Sequence, residues 1–138
     1  MAEVRILVVE DEGIISLQIQ TMLRSMGYDV CGKASSGQEA IDKASAMRPD
    51  LILMDVMLQD SIDGIEAARQ IVAHFNTPVV FVSGCADSET LQRAAEVGYF
   101  AYVSKPFTER VLDSAIKMTI RKYGLEGDRK NPEKAEAS

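Results

Sequence analysis

Residues 4–9 read VRILVV and run directly into Glu10, Asp11 and Glu12. A short, nearly continuous apolar run rich in β-branched residues is the pattern of a strand buried on both faces, as in parallel sheets. From Ile15 the apolar positions Ile15, Ile19, Met22, Leu23 and Met26 recur at spacings of three and four, which predicts an amphipathic helix, with Gly27 placed to stop it. A buried strand followed by a helix sets up an α/β alternation, and the rest of the chain continues it.

Residues 29–34 predict a second strand. Ser36 with Glu39 three positions on reads as a capping box, opening a helix through Ala40, Ile41, Ala44 and Met47 that stops before Pro49. Residues 50–54 (DLILM) predict a third strand. A helix over residues 63–75 follows, with Ile65, Ala68, Val72 and Phe75 on one face, and Thr77-Pro78 breaks it. Residues 79–82 (VVFV) predict a fourth strand, residues 87–97 a weaker helix closed by Gly98, and residues 100–103 a fifth strand. From Thr108 the positions Val111, Leu112, Ala115, Ile116 and Thr119 mark a last helix ending near Tyr123 and Gly124. Five βα units with short connections predict a doubly wound α/β sandwich, because parallel strands need crossovers and those are right-handed.

The chain has 138 residues, 46% hydrophobic and 26% charged, which suits one globular domain with a short tail. A net charge of −6 argues against a protein that works by gripping nucleic-acid phosphates or anionic lipid. Cys31 and Cys85 form no CxxC and have no neighbouring His, so neither a metal site nor a disulfide scaffold is indicated. No segment approaches the ~20 apolar residues needed to cross a bilayer, and Glu3 and Arg5 interrupt any signal core. A cytoplasmic protein is expected. After Gly124 the sequence loses apolar periodicity, so residues 1–123 are expected to be the domain and 124–138 a flexible tail or the start of a linker.

In an open parallel sheet, ligands bind beyond the carboxyl ends of the strands, where strand order reverses. The residues at those ends are Glu10 and Asp11 after the first strand, Asp55 after the third, Ser83 after the fourth, and Ser104 and Lys105 after the fifth. Singly, each reads as a cap, a turn residue or a solvated lysine. Together they bring three carboxylates, the hydroxyls of Ser83 and Ser104 and an amine to one edge. Crowded carboxylates raise one another's pKa unless a cation sits among them, and oxygen-only ligands suit a hard divalent ion such as Mg2+, or Mn2+. A metal and a lysine beside a hydroxyl and a nucleophilic Asp are the parts that phosphoryl transfer requires.

With those residues identified, the sequence resembles a receiver domain of the two-component response regulators over residues 4–123. The matching pieces are VVEDE at 8–12, DLILMD at 50–55, DGIEA at 63–67, VVFVSG at 79–84 and VSKPF at 103–107. The resemblance implies a flavodoxin-like, chemotaxis-regulator-like fold with strand order 2-1-3-4-5. It implies Asp55 as the acceptor of a phosphoryl group from a histidine kinase's phosphohistidine. Glu10, Asp11, Asp55 and the Met57 backbone carbonyl would form the metal site, Glu10 acting through water. Ser83 and Lys105 would contact the phosphoryl oxygens, and Tyr102 would be the rotameric aromatic switch that works with Ser83. Lys105-Pro106 matches the family's Lys-Pro pair, often joined by a cis peptide. Phosphorylation would then change the face formed by the fourth helix, fifth strand and fifth helix.

The partners implied are a sensor histidine kinase or phosphotransfer protein and an output partner or domain the sequence does not name. Direct nucleic-acid or membrane contact is not expected. The oligomeric expectation is a monomer or a weak phosphorylation-dependent dimer. The length leaves no room for an output domain, so the chain is expected to be a stand-alone regulator or a receiver cut from a longer hybrid kinase, cyclase or transcription factor.

Three features depart from the family pattern. The stretch DVMLQDSIDG from Asp55 to Gly64 is one position longer than usual and lacks the customary proline; GYFAY before the lysine replaces the acidic pair of many DNA-binding regulators; and Cys85 stands beside the site, where a packing or spacer role is expected. The competing enzyme class is an aspartyl-nucleophile phosphatase of the dehalogenase-like type. That class places a second Asp two residues after the nucleophile, where this chain has Met57. An interaction-only pseudo-receiver is disfavoured because the whole site is present, and no GxxxxGK[ST] or GxGxxG occurs.

Overall fold

The computed structural model describes residues 3–59, 61–84, 87–98 and 101–124. Its elements are β1 (Arg5–Val9), α1 (Gly13–Ser25), β2 (Asp29–Ala34), α2 (Gly37–Met47), β3 (Leu51–Asp55), α3 (Gly64–Phe75), β4 (Val79–Ser83), α4 (Ser88–Val97), β5 (Ala101–Ser104) and α5 (Glu109–Tyr123). All strand pairings are parallel, in the order β2-β1-β3-β4-β5. This is the doubly wound sandwich the alternation predicts. After β2 the chain crosses back to add β3 on the far side of β1, and that reversal opens a crevice beyond their carboxyl ends.

The two faces of the sheet follow from the period-2 alternation of side chains along a strand. Ile6, Val8, Leu51, Leu53 and Val80 meet Leu23 of α1 and Leu112 and Ile116 of α5 on one face. Leu7, Val9, Ile52, Met54 and Phe81 meet Ala44 of α2, Ile71 of α3 and Ala94 of α4 on the other. Every residue of β3 and β4 is buried, which is why both read as continuous apolar runs. No helix among the described residues is long and apolar enough to cross a membrane.

The caps set the boundaries. Ser36 accepts a hydrogen bond from the Glu39 N–H at 3.1 Å, while the Glu39 carboxylate reaches back to the Ser35 N–H at 2.8 Å. The capping box is thus present but shifted by one donor. Asp63 and Asp87, expected as first helical residues, are extended N-caps whose side chains accept from Glu66 and Thr90. β3 and β4 each run one residue past the expected end, so Asp55 and Ser83 belong to the ladder itself. β5 runs to Ser104; its expected first residue, Phe100, lies outside the described residues, as do Cys85 and residues 125–138.

Phe81 is among the largest fully buried side chains and stacks at a tilt on Tyr102, with ring centroids 6.2 Å apart. Phe81→Ala is expected to destabilise the domain by about 3–5 kcal/mol, read as a lowered urea midpoint at unchanged slope.

Candidate functional site

Asp55, the last residue of β3, is only 3% exposed, and Glu10, which follows β1, only 2%. Asp11 is half-buried beside them, and one carboxylate oxygen from each of the three lies within 4.8 Å of the others. The three come together because β1 and β3 are hydrogen-bonded neighbours that end on the same edge. Ser83 closes β4 in full burial, and Lys105 follows β5. The Lys105 N–H donates to the Ser83 carbonyl at 2.8 Å, and the Lys105–Pro106 peptide is cis. Tyr102 is half-buried against Phe81, and Ser104 is exposed.

Each carboxylate is oriented by a backbone donor. The Met57 N–H donates to Asp55 Oδ1 at 3.0 Å, the Gln59 N–H to Asp11 Oδ2 at 3.2 Å and the Glu12 N–H to Glu10 Oε2 at 3.1 Å. Lys105 is the cation. Its ammonium donates to Glu10 Oε1 at 2.7 Å and lies 3.6 Å from Asp55 Oδ2. Glu10 is thus the hydrogen-bonded partner of Lys105.

Burial pushes the Asp55 carboxyl up to about 6; the Met57 N–H opposes the rise, the Glu10 charge adds to it and Lys105 lowers it. Burial works against the charge on Lys105, but the hydrogen bond to Glu10 and the nearby Asp55 raise its pKa on balance. Among the described residues, Lys105 is the ammonium paired to Glu10 and Asp55, against three clustered carboxylates, and the donors are all oxygen. Glu10, Asp11 and Asp55 therefore fit a hard divalent cation. An open cavity of about 380 Å³ between α1 and α2 is lined in part by Glu10 and Asp11.

Asp55 is seated by Gly64, the glycine of the DGIEA stretch at 63–67. A Cβ on Gly64 would lie 1.9 Å from the Asp55 carbonyl oxygen, and the Gly64 N–H donates to the Val56 carbonyl at 3.0 Å. The first residue of α3 is thus pressed against the end of β3, an approach only glycine permits. A glycine opening a strongly amphipathic helix was the available signal.

The response regulator receiver domain family matches residues 6–117, and the chain belongs to that family. It is 36% identical over 128 residues to the transcriptional regulatory protein PdtaR of Mycobacterium tuberculosis, covering 90% of this chain and 62% of that protein. It is 36% identical over 119 residues to the alkaline phosphatase synthesis transcriptional regulatory protein PhoP of Bacillus subtilis, covering 86% of this chain and 49% of that one. The chain thus spans only part of the length of these curated relatives. Among solved structures, the signal receiver domain of a modulated diguanylate cyclase from Desulfovibrio desulfuricans aligns with a TM-score of 0.84 at 38% identity, over 91% of this chain and 99% of that one. A CheY-like receiver domain protein from Methanospirillum hungatei aligns with a TM-score of 0.82 at 27% identity, over 91% of this chain and all of that one.

Two predictions follow from the site's electrostatics and packing. Folding raises the Asp55 pKa from 3.8 to about 6, so the folded state holds that proton more tightly. The stability this contributes is full below the unfolded value and is lost as pH rises through about 6. Asp55→Asn is expected to stabilise the metal-free protein at pH 7 by on the order of 1–3 kcal/mol, and most of that gain should vanish near pH 4 in chemical denaturation. Gly64→Ala is expected to lower the thermal midpoint by more than the Gly→Ala helix propensity alone would raise it, since α3 must retreat from Asp55.

Proposed function

We propose that Asp55 accepts a phosphoryl group from the phosphohistidine of a sensor histidine kinase or phosphotransfer protein, and that the aspartyl phosphate switches partner binding. What carries this reading is the convergence of one buried, backbone-oriented carboxylate with Glu10, Asp11 and Lys105 at the reversal of strand order. Asp55 supplies the attacking oxygen; a bond from that oxygen to phosphorus forms as the phosphorus–nitrogen bond to the donor histidine breaks, and the imidazole leaves with the electron pair. Glu10, Asp11, Asp55 and the Met57 carbonyl would hold Mg2+ or Mn2+, which when bound neutralises phosphoryl oxygens.

Lys105 starts between Glu10 and Asp55, so a short movement of its flexible stem carries the ammonium to a phosphoryl oxygen on Asp55. The buried Ser83, whose carbonyl is bonded to the Lys105 N–H, supplies a hydroxyl to a second oxygen. Tyr102 lies against Phe81 on the strand next to Ser83, a position from which a ring rotation alters the surface of α4, β5 and α5. Residues 1–123 would be the receiver and 124–138 a tail or linker. The two relatives are named as transcriptional regulators longer than this chain, and an output partner or domain of that kind is the corresponding proposal here.

The test is intact mass after incubation with Mg2+ and acetyl phosphate, beside Asp55→Asn. A metal-dependent gain of one phosphoryl group in the wild type and none in the variant is expected; a wild type that gains nothing, or a variant that gains as much, would overturn the reading. Lys105→Ala is expected to retain the adduct but to lose the tyrosine emission change that beryllofluoride produces in the wild type.

A further inference from the structure

The eight positions between β3 and α3 form a connection without proline, and the far end of that connection is held from outside. Asp63 caps α3 by accepting from the Glu66 N–H at 2.9 Å, and Arg93 of α4 reaches the same carboxylate with both terminal nitrogens, at 2.9 Å to Oδ2 and 3.3 Å to Oδ1. Ion pairs on other helices, such as Lys43–Glu39 and Lys117–Asp113, stay within one helix, whereas this one joins two. Exposed single-point pairs contribute little, but a two-point guanidinium contact to a carboxylate already fixed as a cap is the geometry in which such a pair is effective.

Gly64, next to Asp63, is packed on the Asp55 carbonyl and bonded to Val56. A displacement of the α3 N-terminus therefore moves the main chain that carries Asp55. α4 itself is weakly anchored, with Ala94 its one buried residue. We propose that Arg93 is a positioning residue for phosphorylation: through Asp63 and Gly64 it holds the α3 N-terminus against the end of β3 and so fixes the Asp55 carboxylate for attack. The inference rests on the assignment of Asp55 as acceptor. It also ties α4 to the acceptor.

The experiment measures the rate of adduct formation on the full chain with Mg2+ and acetyl phosphate, by intact mass over time, in the wild type, Arg93→Ala, Asp63→Asn and the double variant. Asn keeps the cap and removes the charge that Arg93 pairs with. Each single variant is expected to react at least about threefold more slowly at saturating donor, and the double variant no more slowly than the slower single, because all three break one interaction. Thermal midpoints, and the control Arg69→Ala, which loses a pair within α3, should stay close to wild type. Arg93→Gln replaces Arg93→Ala should the latter lose its helical signal. Single variants slowed by less than about threefold, or slowing in the double variant equal to the product of the two singles, would refute the role of Arg93. A wild type that forms no adduct would instead refute the acceptor assignment.

Discussion

The arrangement of this protein depends on one constraint: β1 and β3 are parallel neighbours, so whatever follows their last apolar residue is delivered to the same edge at side-chain contact distance. Here that is Glu10 and Asp11 from one strand and Asp55 from the other. Crowding of this kind is unfavourable in a buried setting, and the fold offsets it with Lys105, which follows the edge strand β5. The residual negative charge makes the site receptive to a cation and, with it, to phosphoryl oxygens. A partly compensated acidic cluster is thus a state of readiness, in which Asp55 is held up to about 6 by burial and remains oriented by the Met57 N–H.

The second constraint is steric. Gly64 lets α3 begin in contact with the Asp55 carbonyl, and this closeness turns helix position into acceptor geometry. The Arg93–Asp63 pair extends the same contact to α4, giving the helix with the fewest buried residues a direct connection to the α3 N-terminus. In the proposed reading, helix packing and acceptor chemistry are coupled through two adjacent residues, Asp63 and Gly64.

Much of this was legible from residue order. Buried strands such as LILM and VVFV announce themselves because a strand covered on both faces has no polar positions, and short connections between strand and helix patterns force parallel pairing. The ends of those strands then located Glu10, Asp11, Asp55, Ser83 and Lys105 by topology. Other features depend on three-dimensional distances that spacing does not encode. The Glu10–Lys105 pair joins residues ninety-five positions apart, and the Asp63–Arg93 contact joins residues thirty positions apart. The periodic pattern runs through Asp63 and Asp87, which are extended caps, since periodicity marks where a helix lies more sharply than where its first turn begins.

The central claim is that this cluster exists to place one phosphoryl group on one carboxylate. Borohydride reduction of the phosphorylated protein converts an acyl phosphate to the corresponding alcohol, and peptide sequencing by mass spectrometry then reads the position. Homoserine at position 55, with Glu10 and Asp11 unaltered, is the result this account predicts. Reduction at position 11, or a borohydride-stable phosphate on Ser83, would contradict it.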